Sequence, residues 1–301
     1  MNRRDFIETA AAWSVLPLVG TEQGVTTKVV PSTGERIPVL GMGTWQTFDI
    51  GRASDERARL RTVLQTFFDR GGRLIDSSPM YGRSEGVVGD LLPQVRPRPP
   101  LIAASKVWIY GKRLGVVQIE DSRKEWRIPK FDLLQVHNLL DWEAHLETLR
   151  EMKSSGRLRY IGVTTSHGRR HDELERIMTR EKLDFVQFTY NFADRSVEQR
   201  LLPLARERGI AVIINRPLDG GDLFNRVRGK PLPPWAGEIG VNNWAQYFLK
   251  FVVSHPAVTV AIPATSQPAH MTENMGAAAG VMPDVRRRQM MIDYFSRVSL
   301  R

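Results

Sequence analysis

The chain has 301 residues, 42% of them hydrophobic, a formal net charge of +10 and no cysteine. These totals allow a real core, exclude disulfides, thiolate nucleophiles and cysteine-held metals, and contain no charge-free apolar run of the ~18 to 20 residues a bilayer span needs. The basic residues are scattered, without zinc-finger spacing or a basic–aromatic stripe, so nucleic acid is not an expected partner and an anionic ligand or plain solubility accounts for the excess.

Residues 1–24 read as a segment apart. Arg3 and Arg4 precede Asp5, Phe6 and Ile7, and an apolar stretch from Ala10 to Gly20 follows, about the length of a signal h-region. The order resembles a bacterial twin-arginine export signal, with Asn2 where Ser or Thr is usual. The resemblance implies the Tat export machinery as a partner, a periplasmic or other extracytoplasmic location, and no stable membrane anchor. A cytoplasmic protein with an amphipathic N-terminal helix is the alternative.

From residue 25 to 301 the pattern is that of a single domain. Residues 28–37 read as a hairpin turning around Ser32, Thr33 and Gly34. Eight runs rich in Val, Ile and Leu then recur at residues 39–45, 73–77, 101–107, 132–138, 160–165, 185–191, 211–217 and 258–263. Near-continuous apolar character is what parallel strands covered by helices require. Between them lie segments of helical period: 55–70 with Leu60, Val63, Leu64, Phe67 and Phe68 on one face, then 142–155, 172–182, 196–208 and 242–254, with 267–280 after the last strand. Eight alternations predict an α/β fold closed as a (β/α)8 TIM barrel, with the hairpin plugging its floor. Residues 112–130 should hold a helix, yet Pro129 and scattered charges leave their form open. Residues 223–240 read either as a loop over a ligand or as a surface crossover.

Four polar residues stand at the ends of buried runs: Asp76, Lys106 and His137 close three strands, and Tyr81 follows Asp76 in the adjoining loop. A titratable group at a strand end is costly unless it is paired, so the four point to one site at one mouth of the barrel. These residues, with Gly41 to Trp45, Gly72 to Asp76, Tyr81-Gly82, Ser105-Lys106 and Asp132 to His137, resemble the aldo-keto reductase family in identity and order. The resemblance implies an NAD(P)-dependent oxidoreductase that reduces an aldehyde or ketone. Asp76, Tyr81, Lys106 and His137 would be its catalytic tetrad. Tyr81 would act as general acid, its phenol made more acidic by Lys106, with Asp76 holding the lysine and His137 orienting the carbonyl.

The same resemblance implies a cofactor wall. Its members would be Thr44, Thr164, Thr165, Gln187, Asn215, Arg216, Pro217, Leu218, Gly220, Ile262, Ala264, Thr265, His270, Glu273 and Asn274. Trp45 and Trp108 would line the substrate pocket, which Asn138, where many members carry Trp, makes wider or more polar. Two departures matter. Asn215 stands where a tyrosine stacks on the nicotinamide, and Ala264 and His270 stand where two cations grip the 2′-phosphate. Each lost charge-assisted contact is worth ~1.5 to 3 kcal/mol, which weakens a preference for NADP; NADP is nevertheless the cofactor the resemblance implies, with NAD as the alternative. The six histidines show no ligand spacing, so no metal is expected. Two other readings remain open: a cofactor-binding regulatory or redox-sensing subunit with little turnover, and an unrelated barrel enzyme that uses His137 and Lys106 without nicotinamide.

Overall fold

The computed structural model describes residues 24–96 and 98–299; residues 1–23, and with them nearly all of the proposed export signal, lie outside the described residues. Two short strands, β1 (Thr27–Val29) and β2 (Arg36–Pro38), pair antiparallel as the expected hairpin. Eight parallel strands follow: β3 (Met42–Gly43), β4 (Leu74–Asp76), β5 (Ile102–Val107), β6 (Leu133–Val136), β7 (Tyr160–Thr164), β8 (Phe185–Thr189), β9 (Ala211–Asn215) and β10 (Val260–Ala261). They are hydrogen-bonded in chain order, and parallel bridges from Leu40 to Ala261 and from Gly43 to Ala264 join the two edges into a ring. This is the (β/α)8 barrel, with its edges removed by closure. The observed β3 and β10 are shorter than their apolar runs, because the ring closes there through isolated bridges.

The hairpin does close the floor. Val30 and Ile37 pack in one buried cluster with Leu74, Ile102, Leu133, Tyr160, Phe185, Ala211 and Val260 from the barrel interior. Glu35 reinforces it, accepting from the Tyr160 hydroxyl at 2.6 Å and from Arg73 at 3.2 Å.

Helices coat the outside: α1 (Ser54–Asp69), α2 (Ser84–Leu91), α3 (Lys112–Trp126), α4 (Trp142–Ser154), α5 (His171–Arg180), α6 (Leu201–Glu207), α7 (Asp222–Arg226), α8 (Trp244–Ser254), α9 (Pro268–Gly276) and α10 (Val285–Ser299). The α1 helix buries the five apolar residues expected of it. The open segment 112–130 is resolved as α3, which ends on Arg127 in the left-handed region, so Pro129 falls beyond the helix and does not interrupt it. The expected helix 196–208 is split, with a 3-10 turn at Ser196–Glu198 before α6. Residues 223–240 carry the end of α7 and a 3-10 turn at Ala236–Ile239; Phe224 lines the central cavity, while Leu223, Val227, Ala236 and Ile239 are buried in the core.

Besides the short α7, two helices had no counterpart among the expected elements. One is α2, where Gly89 is there for space: a Cβ on it would lie 2.0 Å from the Glu125 carbonyl oxygen of α3. The other, α10, is rich in arginine and buries only Arg288, Met291 and Phe295. Among the described residues no helix is long and apolar enough to cross a membrane.

Candidate active site

The strand order brings the polar strand ends to one mouth. Asp76 is the last residue of β4, Lys106 lies one residue before the end of β5, and His137 directly follows β6. That mouth opens into a cavity of about 750 Å³ running from Trp45 and Met80 across the barrel to α9. Every residue assigned to catalysis, cofactor or substrate from the sequence lines it. Gln46, Thr47, Met80, Ser166, His167, Gly221, Phe224 and Ala245 line it as well. Most of these directly adjoin landmark residues, so adjacency is the signal that finds them. Phe224 and Ala245 come from a long connection and carry no local signal.

The buried centre is an ion pair. Lys106 donates to Asp76 Oδ2 at 2.6 Å and to the Ser77 carbonyl at 2.7 Å, and both charged side chains are almost wholly buried. The same ammonium lies 5.1 Å from the centre of the Tyr81 ring. Burial works against the lysine's charge, but Asp76 and then Tyr81 hold its pKa above the usual range. Burial also pushes Asp76 up, against the pull of Lys106.

Tyr81 departs from expectation in one respect. Lys106 does draw the phenol down, but burial is the larger effect and leaves the pKa above the ordinary phenol value. The phenol therefore keeps its proton at neutral pH.

His137 meets the Tyr81 ring edge-on, with centroids 5.8 Å apart at 84°. Its Nδ1 is 3.0 Å from the Ser78 hydroxyl, which accepts from the Met80 N–H at 3.2 Å. Burial, and then Lys106, lower its pKa to about 3, so the imidazole is neutral. Ser78 was not among the residues picked from the sequence.

The remaining wall is less uniform. Thr44 donates to the Ser77 hydroxyl at 2.8 Å and to the Asp76 carbonyl at 3.1 Å, so its side chain braces the β4 end. Thr164 accepts from the Asn138 N–H at 3.1 Å. Gln187 accepts from Gln135 at 2.9 Å inside the barrel. Asn215 is occupied at both ends, accepting from Thr189 at 2.7 Å and donating to the Thr165 carbonyl at 2.9 Å. Arg216 pairs with Asp219 at 3.1 Å beside Gly220, whose φ of +65° suits glycine and whose missing Cβ leaves room for the guanidinium. Thr165 Oγ1 is buried without a hydrogen-bond partner among the described residues. Ile262, Ala264, Thr265, His270, Glu273 and Asn274 form the far end, where Thr265 Oγ1 accepts from the Gln267 N–H at 3.1 Å. Trp45 and Trp108 are 42% and 36% exposed at the mouth, which makes them walls and not core. The Trp108 backbone is latched to α3, its N–H donating to Gln118 Oε1 at 2.7 Å.

The model of the Aldo/keto reductase family matches residues 39–286. Among curated proteins, the chain is 27% identical over 214 residues to the aldo-keto reductase YhdN of Bacillus subtilis, a match covering 66% of this chain and 63% of that protein. It is 26% identical over 232 residues to the NADH-specific methylglyoxal reductase of Escherichia coli, covering 64% of this chain and 68% of that one. Among solved structures, an aldo/keto reductase from Klebsiella pneumoniae in complex with NADP and acetate superposes with a TM-score of 0.70 at 23% identity, covering 87% of this chain and 93% of that one.

Proposed function

The chain belongs to the Aldo/keto reductase family, and from that premise we propose that it reduces an aldehyde or ketone to an alcohol with NADP(H) as cofactor. The observation that carries the proposal is the Lys106 ammonium, paired with Asp76 at 2.6 Å and 5.1 Å from the Tyr81 ring, at the mouth of one cavity. Family membership removes the unrelated-barrel reading, and the buried tetrad favours turnover over a regulatory subunit.

The residues present fit a dinucleotide. The cavity is long enough to carry polar groups from Thr165 to Asn274, the orphaned Thr165 hydroxyl awaits a partner, and the glycine turn at Gly220 and Gly221 lets backbone approach closely. Thr165 and Gln187 would hold the nicotinamide end, Arg216 to Gly220 the middle, and Ala264 to Asn274 the adenosine end. When bound, the cofactor supplies hydride to the carbonyl carbon.

The chain's own residues handle the oxygen. Tyr81 gives it a proton as negative charge builds, and Lys106 stabilises the phenolate left behind. Asp76 keeps the ammonium in place. Ser78 already accepts from Met80, so its own proton is available to His137 Nδ1. That leaves Nε2 carrying the ring proton, which it offers to the carbonyl oxygen to fix its orientation. Trp45, Met80, Trp108 and Phe224 give the mouth an apolar wall suited to an apolar substrate body.

Titration of the purified protein with NADPH and NADH, followed by tryptophan fluorescence and then by aldehyde-dependent oxidation, tests the reading. Quenching with turnover is expected; tight binding without turnover, or no binding, overturns it. Residues 1–24 we take as a twin-arginine-type export signal, supported by Arg3, Arg4 and the apolar stretch behind them. Cell fractionation of the full chain beside an Arg3→Lys, Arg4→Lys variant tests that, and equal retention of both in the cytoplasm removes it.

A further inference from the structure

One buried carboxylate close to the site has no part in the chemistry above. Glu85 is 4% exposed. Its Oε1 accepts from the Ser105 hydroxyl at 2.5 Å and from Trp126 Nε1 at 3.1 Å, and its Oε2 accepts from the Ser122 hydroxyl at 2.7 Å. These partners lie on β5 and α3, while Glu85 itself stands in the first turn of α2. A buried carboxylate is expensive, and a well-packed apolar residue joins helices at lower cost.

The placement of the partners supplies a reason. Ser105 and Lys106 are neighbours on β5, and successive strand residues face opposite sides. Lys106 faces the cavity, and Ser105 faces the helices. On the other side, α2 begins three residues after Tyr81, with the Ser84 N–H donating to the Tyr81 carbonyl at 3.1 Å. The tyrosine sits in a loop, and the lysine on a strand. Neither element alone sets their separation.

We infer that Glu85 is a positioning residue that fixes Tyr81 against Lys106, by lacing the outer face of the lysine's strand to the helix that follows the tyrosine. This deepens the proposed reduction and rests on it. Gly89 serves the same arrangement, since a Cβ there would lie 2.0 Å from the Glu125 carbonyl oxygen and hold α2 away from the end of α3 that carries Trp126 and Ser122.

Three variants test it: Glu85→Ala, Glu85→Gln and Ser105→Ala. Glutamine keeps the lace, because Oε1 still accepts from Ser105 and Trp126 while the Ser122 hydroxyl turns to accept from the new amide. A displacement of about 1 Å costs up to ~100-fold in rate. Glu85→Ala is therefore expected to lose ~10- to 100-fold in kcat, with KM and cofactor Kd within twofold of the parent. Ser105→Ala loses less in the same sense, and Glu85→Gln restores kcat to within threefold. The His137 ring protons, held edge-on to Tyr81, report the tyrosine's placement by NMR without turnover; they should shift in the two alanine variants and not in the glutamine one. Alanine variants that melt lower yet keep parental kcat and His137 resonances overturn the inference, as does a glutamine variant as impaired as alanine. Should Glu85→Ala fail to fold, Ser105→Ala decides by the same comparison. A parent chain without turnover would instead count against the proposed reduction, while the resonances would still judge the placement.

Discussion

The hydroxyl of Ser78 lies 3.0 Å from Nδ1 of His137. That hydroxyl also accepts from the Met80 N–H at 3.2 Å; with the serine as donor to Nδ1, the tautomer proposed above, the ring proton stays on Nε2. Ser78→Ala frees the tautomer. The expected result is a fall in kcat of ~10-fold, the order of a lost orienting contact, with cofactor affinity unchanged. A Ser78→Ala enzyme with full kcat would show that the serine does not set the ring.

Acid should unfold the protein through the same histidine. His137 is held at about 3 in the fold against 6.5 for the free side chain. The unfolded chain therefore binds more protons between those values, and stability is lost as pH falls from 6.5 toward 3. Buried neutral histidine of this depth is worth several kcal/mol across that window. The same shift leaves the imidazole uncharged from pH 5 to 8, so kcat should show no histidine limb there. Denaturant unfolding at pH 7, 5 and 4 checks the first point, and a kcat profile the second. A His137→Gln variant that loses stability with acid as steeply as the parent would remove His137 from the account.

Tyr81 should be indispensable for turnover and dispensable for binding. Tyr81→Phe keeps the ring against His137 and Lys106 but removes the hydroxyl proposed as proton donor. General acid catalysis is worth ~10²- to 10⁴-fold, so reduction should fall by that range while NADPH quenching keeps its midpoint within twofold. Lys106→Met should lose activity comparably and also destabilise the fold by ~3 to 5 kcal/mol, because Asp76 is left buried and unpaired. Retained reduction in Tyr81→Phe would take the phenol out of the mechanism.

What the sequence disclosed follows from how buried parallel strands are written. Strand runs such as 74–75 and 211–214 are buried and apolar on both faces, so a polar residue at the end of such a run stands out against its surroundings. Asp76, Lys106 and His137 were legible for that reason. Ser78 and Glu85 were not, because a short serine and a glutamate in a helical first turn are what solvent-facing segments also contain. Only the fold reveals that both are buried. The α2 helix was not among the expected elements, and its Gly89 gains meaning only from the fold, where a Cβ would meet the Glu125 carbonyl oxygen of α3. The lysine's influence on Tyr81 had the right sign, but burial, which no local pattern displays, proved larger.

Asn215 offers a trade between stability and binding. Its amide bridges Thr189 and the Thr165 carbonyl at 2.7 and 2.9 Å, tying the ends of β7, β8 and β9. Tyrosine at that position would break both bonds. Asn215→Tyr is expected to cost ~1 to 3 kcal/mol in denaturant unfolding. A stacking ring would return ~0.5 to 1.5 kcal/mol to the dinucleotide, tightening NADPH binding several-fold. Unchanged stability would show that the amide bridge is not a tie.

The adenosine end makes the sharpest forecast about the cofactor. Ala264, Thr265, His270, Glu273 and Asn274 line it, and none of them carries a permanent positive charge. A 2′-phosphate there would rest on the Thr265 hydroxyl and backbone, close to the Glu273 carboxylate. Kd values for NADPH and NADH should therefore lie within about tenfold of one another. Ala264 is exposed, with its backbone fixed by the bridge to Gly43, so a lysine at that point can extend into solvent or onto a phosphate without displacing core. Ala264→Lys adds one charge-assisted contact worth ~1.5 to 3 kcal/mol, which is roughly a ten- to hundredfold gain for NADPH. NADH, with no 2′-phosphate to grip, should gain almost nothing. Fluorescence titrations of both enzymes with both cofactors measure the difference. An equal gain for the two would place residue 264 away from the 2′ position and leave the far end of the cavity to another part of the ligand.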